Sequence, residues 1–204
     1  MARYTEFAAK IYDPVLKPFI SPLRKRVVEI AGDLKVKKVL DLCCGTGNQL
    51  KFFKMSGFDD ILGIDISEPM LSRAEVGKVK VPCRLEDATE TSLSDGEFEL
   101  VMVSFALHEM PLKNAEKVVK EGWRVLQEGG YFLIVDYCFD RKPGFFGRSL
   151  VHLVERLAGK EHYQNFINYR NKGGLKYFFS PKIEPVLKEY YLFDTIAITV
   201  FKKR

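Results

Sequence analysis

The chain is poor in residues that build metal or disulfide frameworks. It has four cysteines (43, 44, 83 and 138) and three histidines (108, 152 and 162). No C-x-x-C spacing occurs, and the adjacent Cys43 and Cys44 cannot easily bridge each other. A disulfide framework or a zinc finger is therefore not expected, and a reducing compartment fits. The histidines are scattered without ligand spacing, so no metal is required. Long apolar runs are also missing: "YFLIV" at 131–135 is far too short to span a membrane. The opening "MARYTEFAAK" contains an acid and no unbroken apolar segment, which argues against a signal peptide and for a cytoplasmic protein. Internal repeats and low-complexity segments are absent, and no feature specifies an oligomeric state.

What is present is an ordinary globular composition, 47% hydrophobic and 29% charged over 204 residues, enough for one domain with a real core. The net charge of +5 is uneven. Residues 141–204 carry 13 Lys/Arg against 5 Asp/Glu, whereas residues 1–140 carry 19 against 22. The same tail holds 12 of the 26 aromatic residues. A basic, aromatic tail suits an anionic membrane or nucleic acid, and equally a solvated basic face over an aromatic core.

Residues 1–34 read as helical, broken by Pro14, Pro18 and Pro22, with a last helix from Pro22 to Gly32. A strand–helix alternation follows. "KKVLDLC", "DILGID", "KVPCRLED", "EFELVMVSFA" and "YFLIVDY" read as strands. The helices between them end at Gly57, start at an N-cap Ser67, and close on Gly129–Gly130. Strands nearly continuous in apolar residues argue a parallel sheet covered on both faces. The chain ends in two strand-like runs with a turn near Asp194–Thr195, a hairpin whose last strand should lie antiparallel. Residues 141–186 form an insertion with helical pattern in its first half.

The stretch "VLDLCCGTGNQL" (39–50) is a strand that ends in an acid, turns on glycines and opens a helix. Ligands of open parallel sheets bind at such strand ends, near free N–H groups of the helix start. A P-loop is excluded because no Lys-Ser/Thr pair follows. A dinucleotide G-x-G-x-x-G lacks its third glycine, since Leu50 stands there. Asp41 sits badly beside a pyrophosphate and suits a ligand with a positive centre. S-adenosylmethionine has an ammonium and a sulfonium, and its ribose diol wants an acid at the next strand end, where Asp65 stands.

At these residues the sequence resembles the class I S-adenosylmethionine-dependent methyltransferases. "VLDLCCGTG" is similar to their glycine-rich first motif and "LGIDISEPML" to their second. "EDATE" (86–90) resembles the acidic turn after the third strand, and "FELVMVSFALHEM" and "GWRVLQEGGYFLIVDY" the motifs that follow. The terminal hairpin matches the family's antiparallel seventh strand. Within the family the chain is most similar to the ubiquinone/menaquinone C-methyltransferase group, through "IYDPVLKPF", the "GTG" turn and "VSFALHE". Cys43 departs from the pattern, because many members carry a glycine there.

The resemblance implies an α/β fold: a Rossmann-like seven-stranded sheet, mostly parallel with an antiparallel last strand and helices on both faces. It implies a single domain with an N-terminal helical flap (1–34), a cofactor core (35–140), an acceptor lid (141–186) and a terminal hairpin (187–204). S-adenosylmethionine would be the cofactor and S-adenosylhomocysteine the product. Asp41 would support the loop and the methionine ammonium, with backbone contacts from Cys43, Gly45 and Gly47. Asp65 would accept from both ribose hydroxyls. Ile66 and Met70 would pack on the adenine, and Asp87 and Ala88 would meet its amino edge. Ser104 would line the methionine end, and Tyr12 of the flap would close over it. The two adjacent cysteines read as small buried thiols rather than a nucleophile or redox pair.

Methyl transfer is an in-line displacement in which positioning supplies much of the acceleration. A carbon or oxygen acceptor also needs a proton removed; His108 is best placed for that, with Glu109 beside it, and Tyr137 and His162 are further candidates. His162, Phe166 and Tyr169 stand at helical spacing, as pocket or as core. The acceptor is expected to be a small apolar or aromatic molecule, quinone- or lipid-like, with peripheral contact to an anionic membrane. The rivals are a soluble metabolite, arsenite, RNA or protein as acceptor, or a non-catalytic module. Nucleic acid is disfavoured because "SFAL" stands where an N/D-P-P-Y motif would. Arsenite is disfavoured because Cys83 and Cys138 fall in different strands.

Overall fold

The computed structural model describes the backbone of residues 6–141 and 145–204, and the side chains of these except 6–19, 145, 146 and 148. Seven strands form one sheet: β1 (Val39–Leu42), β2 (Ile61–Asp65), β3 (Cys83–Leu85), β4 (Phe98–Ser104), β5 (Leu126–Tyr137), β6 (Leu187–Tyr191) and β7 (Ile196–Lys202). Their order is β3-β2-β1-β4-β5-β7-β6. β7 pairs antiparallel with both β5 and β6, and every other pairing is parallel. All four residues of β1 are buried, as expected of a strand covered on both faces.

The helices are α1 (Glu6–Asp33), α2 (Asn48–Met55), α3 (Glu68–Ala74), α4 (Leu112–Val125), α5 (Phe145–Ala158) and α6 (Lys160–Asn171). α1 packs with α2 and α3, and α6 packs with α4 and α5, so the two groups cover the two faces of the sheet. The core is continuous through the sheet, from Val27 and Ile30 of α1 to Phe166 and Tyr169 of α6.

Three expectations are corrected. First, α1 is one helix through Pro14, Pro18 and Pro22. Each proline removes a hydrogen bond, but tertiary anchoring holds the helix: the Arg26 fork donates to Glu189 of β6 at 2.8 and 3.0 Å, and Gln49 Nε2 donates to the Arg24 carbonyl at 3.2 Å. Second, α4 ends at Val125, and Gly129–Gly130 lie inside β5. The β4–β5 register jumps between Phe98↔Leu126 and Leu100↔Tyr131. Gly129 takes φ 77°, and a Cβ on Gly130 would sit 2.9 Å from the Glu99 carbonyl. The glycines therefore serve a bulge rather than a helix stop. Third, Ser67 precedes α3, but its hydroxyl makes no capping bond; its backbone N–H donates to Asp65 Oδ1 at 2.8 Å.

The strand order reverses beside β1, with β2 on one side and β4 on the other. A crevice is expected at the carboxyl ends of these strands.

Candidate active site

A cavity opens at that switch point. Its walls are the loops after β1 (Cys43–Thr46), β2 (Asp65–Ser67) and β4 (Ser104–Ala106). Ile20 and Arg24 of α1 close one side, and Glu109 and Met110 another.

The turn is held by Asp65. Its carboxylate accepts the Gly45 N–H at 2.7 Å and the Ser67 N–H at 2.8 Å, tying the two loops together. Burial raises its proton affinity, partly opposed by these N–H groups. Each oxygen retains a lone pair, so the carboxylate can still serve hydroxyl donors from the cavity. Asp41, at the cavity wall, is 2% exposed, and its Oδ1 has no hydrogen-bond partner among the described residues. Burial, with the nearby Cys83 and Asp65, pushes its carboxyl well above the usual carboxylate range, and Arg24 opposes this. A buried carboxyl with an unmet oxygen suits a ligand ammonium. The residues therefore fit S-adenosylmethionine: an acid for the ammonium, an acid for the ribose, and a turn of free backbone.

Cys43 lines the cavity with φ 61°, the left-handed backbone that explains why glycine is common there in the family it resembles. Burial pushes its thiol up, which keeps it un-ionised. Cys44 also lines the cavity, and its Sγ lies 3.9 Å from Cys83 Sγ. The structure thus joins two cysteines that their separate strands hid, while Cys138 is buried elsewhere and donates to the Asp194 carbonyl.

Gly45, Ile66, Met70, Ala88 and Ser104 all lie on the cavity wall. Ile66 is 46% exposed, so it is not ordinary core; Met70 is buried. Gly47 is off the wall. A Cβ there would meet Ala74 Cβ at 2.9 Å, so its work is to let α2 approach α3. Asp87 is exposed, also off the wall, and accepts the Thr89 N–H at 2.9 Å. The Tyr12 side chain lies outside the described residues.

His108 does not face the cavity. It is buried one layer behind Glu109, with Nδ1 2.6 Å from Asp136 Oδ1. Burial alone would lower this imidazole, but Asp136, Glu155 and Glu109 outweigh it and hold it at about 9. Without a metal it therefore favours the charged form, which does not suit a general base. His162, Phe166 and Tyr169 are buried against the same cluster, so the stripe is core. Tyr137 donates its hydroxyl to Glu155 Oε1 at 2.8 Å, and His162 Nε2 lies 2.9 Å from Glu155 Oε2.

Sequence reasoning missed Arg24, Phe105 and Met110 as wall residues and named Glu109 only as the neighbour of His108. The signal was "SFALHEM", since a loop directly after a central strand must border the crevice.

Comparison with known proteins agrees with the fold. A family profile described as a methyltransferase domain matches residues 40–134. An uncharacterized methyltransferase of Synechocystis is 37% identical over 100 residues, 49% of this chain and 47% of that protein. The chain thus spans about half the length of that curated relative. A demethylmenaquinone methyltransferase of Staphylococcus aureus is 32% identical over 176 residues, 76% of this chain and 71% of that one. The crystal structure of an S-adenosylmethionine-dependent methyltransferase from Aquifex aeolicus superposes with a TM-score of 0.60 at 20% identity, covering 98% of this chain and 100% of the other.

Proposed function

This chain belongs to the class I S-adenosylmethionine-dependent methyltransferases, and from that premise we infer that its acceptor is a small, apolar aromatic molecule of the quinol type, met at a membrane surface. The observation that carries this reading is the cavity wall. Beside the acids suited to the cofactor it presents Ile20, Phe105, Ala106 and Met110, an apolar lining for a ring or prenyl chain. The demethylmenaquinone methyltransferase relative supports it.

In this reading Asp41 would hold the methionine ammonium and Asp65 the ribose, and the cofactor would supply an electrophilic methyl group. The ring carbon that takes the methyl must lose a proton. Glu109, on the wall, is the group placed to receive it, with His108 positioned behind. Asp87 reaches the adenine by turning from Thr89. α6 borders the acceptor side: Asn165 donates to the Glu109 carbonyl at 2.9 Å, joining that helix to the wall.

The membrane part rests on α5. Leu150, Leu153 and Leu157 are 50%, 56% and 79% exposed and share one helix face, in the basic part of the chain. Such a face suits an anionic bilayer surface. Among the described residues no helix is long and apolar enough to cross a membrane.

The test offers a prenylated naphthoquinol, a prenylated benzoquinol and a water-soluble catechol to the chain with labelled cofactor. Methylation of the prenylated quinols is expected; methylation of the catechol alone would reject the acceptor class. Vesicles with and without anionic lipid test the surface. Wild type should co-sediment with anionic vesicles and Leu153→Glu with Leu157→Glu should not; no lipid-dependent binding would reject the membrane contact.

A further inference from the structure

Behind Glu109 of the cavity wall lies a buried polar cluster that the proposed methyl transfer does not use. His108, Glu155 and His162 are 2%, 3% and 4% exposed, on the loop after β4, on α5 and on α6. Such groups are buried when paired, and these pair with one another and with Asp136 and Tyr137. We propose that His108, His162 and Glu155 bind a divalent first-row transition-metal ion, zinc foremost, which clamps α5 and α6 onto the cofactor core.

The donor atoms converge. One atom from each of the three residues lies within 4.8 Å of the others. His162 Nε2 is 2.9 Å from Glu155 Oε2, and His108 Nε2 is 3.7 Å from Glu155 Oε1. Zinc with bonds of about 2.0–2.1 Å sets tetrahedral ligands about 3.3 Å apart, so the closer contacts bracket the required spacing. The widest pair must draw in by no more than about 1.5 Å, within reach of rotamer adjustment.

The surroundings are those of a metal site. A ligating imidazole commonly gives its other ring N–H to a carboxylate, which fixes tautomer and orientation. His108 does so: its Nδ1 is 2.6 Å from Asp136 Oδ1, which is itself fixed by the Tyr137 N–H at 2.7 Å. Tyr137 also orients the ligand carboxylate through its hydroxyl, 2.8 Å from Glu155 Oε1. A further oxygen, Glu109 Oε1, lies 3.8 Å from His162 Nε2 and belongs to a residue of the cavity wall.

The donor set chooses the metal. Two imidazoles and a carboxylate suit zinc or iron(II), whereas magnesium and calcium want oxygen ligands. A metal takes the imidazoles neutral, so any proton they hold must leave as it binds.

The experiment uses the full chain, stripped with chelator and titrated with zinc against a chromogenic chelator, without methyl cofactor or acceptor. The expected result is one zinc per chain with proton release and a higher thermal midpoint. Glu155→Gln and His162→Gln should each weaken zinc binding by more than about 100-fold, and Asp136→Asn, a positioning residue, by about 10–100-fold. Circular dichroism identifies any variant that fails to fold. Wild-type cobalt(II) spectra supply a second measurement: d–d bands of a nitrogen/oxygen site are expected. A folded wild type that takes up no zinc overturns the proposal. So does zinc binding that survives Glu155→Gln and His162→Gln but is lost in Cys44→Ser, which would place the ion at the Cys44–Cys83 pair. Because no readout involves methyl transfer, failure here leaves the acceptor reading standing, and the reverse.

Discussion

Replacing Asp65 by Asn removes one acceptor and a charge while keeping the shape. In the protein the carboxylate takes the Gly45 N–H at 2.7 Å and the Ser67 N–H at 2.8 Å. The residue is only 9% exposed, so water replaces a lost partner poorly. An amide offers one oxygen where the carboxylate offers two, so one of the two N–H groups loses its acceptor and faces an NH2 donor instead. A hydrogen bond to a charged group contributes about 1.5–3 kcal/mol, and an orphaned buried donor costs a similar amount. The same substitution takes one acceptor from the ribose diol. We expect a thermodynamic destabilisation of about 1–3 kcal/mol, read from urea unfolding. For S-adenosylhomocysteine, affinity should fall by about 10–150-fold, since 1.4 kcal/mol is tenfold. Calorimetric titration at a temperature where the variant is folded separates the effects. Wild-type affinity in the folded variant would refute the reasoning, because neither the turn nor the ribose would then depend on this carboxylate.

Asp41 gives a pH prediction. Burial raises its carboxyl in the free protein, and a cofactor ammonium favours the ionised form, so binding releases a proton. Affinity should therefore strengthen as pH rises, by up to about tenfold per unit, and Asp41→Asn should flatten the dependence; calorimetry in buffers of different ionisation enthalpy checks this. Glu121 governs acid stability. Burial alone would raise its carboxyl, but Arg124 and Thr91 outweigh burial and hold it at about 2, below the ordinary 4.5. A lowered folded value adds stability above about pH 4.5 that is lost as pH falls through 2, so Glu121→Gln should cost about 1–2 kcal/mol at pH 7 after solvent screening and little at pH 2 and below. A Cβ on Gly63 would fall 2.7 Å from both Cys44 Sγ and Leu50 Cδ1, under the turn. Gly63→Ala should destabilise by about 1–3 kcal/mol in chemical denaturation, and a neutral effect would mean the β2 packing is looser than described.

The parts of the fold that were legible from sequence are those written locally. β1, its turn and Asp65 read directly, because a buried strand, a left-handed turn and an acid at the next strand end each leave a mark on a few adjacent residues. The terminal hairpin read for the same reason. Gly129–Gly130 misled because two glycines after an amphipathic run are equally a helix stop and a bulge, and only the register with β4 decides. The prolines misled because local propensity is overridden by contacts such as Arg26–Glu189, which are 163 residues apart. The histidines misled most. His108 and His162 show no ligand spacing in the chain, yet their ring centroids lie 5.8 Å apart, brought together by α6 docking on the loop after β4. The close approach of Gly47 to Ala74 left no mark in the sequence, because it is set by how α2 and α3 pack.

The most direct test is calorimetric titration of the purified chain with S-adenosylmethionine and S-adenosylhomocysteine, run beside Asp41→Asn. Saturable one-to-one binding of both at micromolar concentration, weakened in the variant, is the predicted result. Binding of neither, or binding that Asp41→Asn leaves unchanged, would contradict the assignment of the β1 turn as the cofactor site.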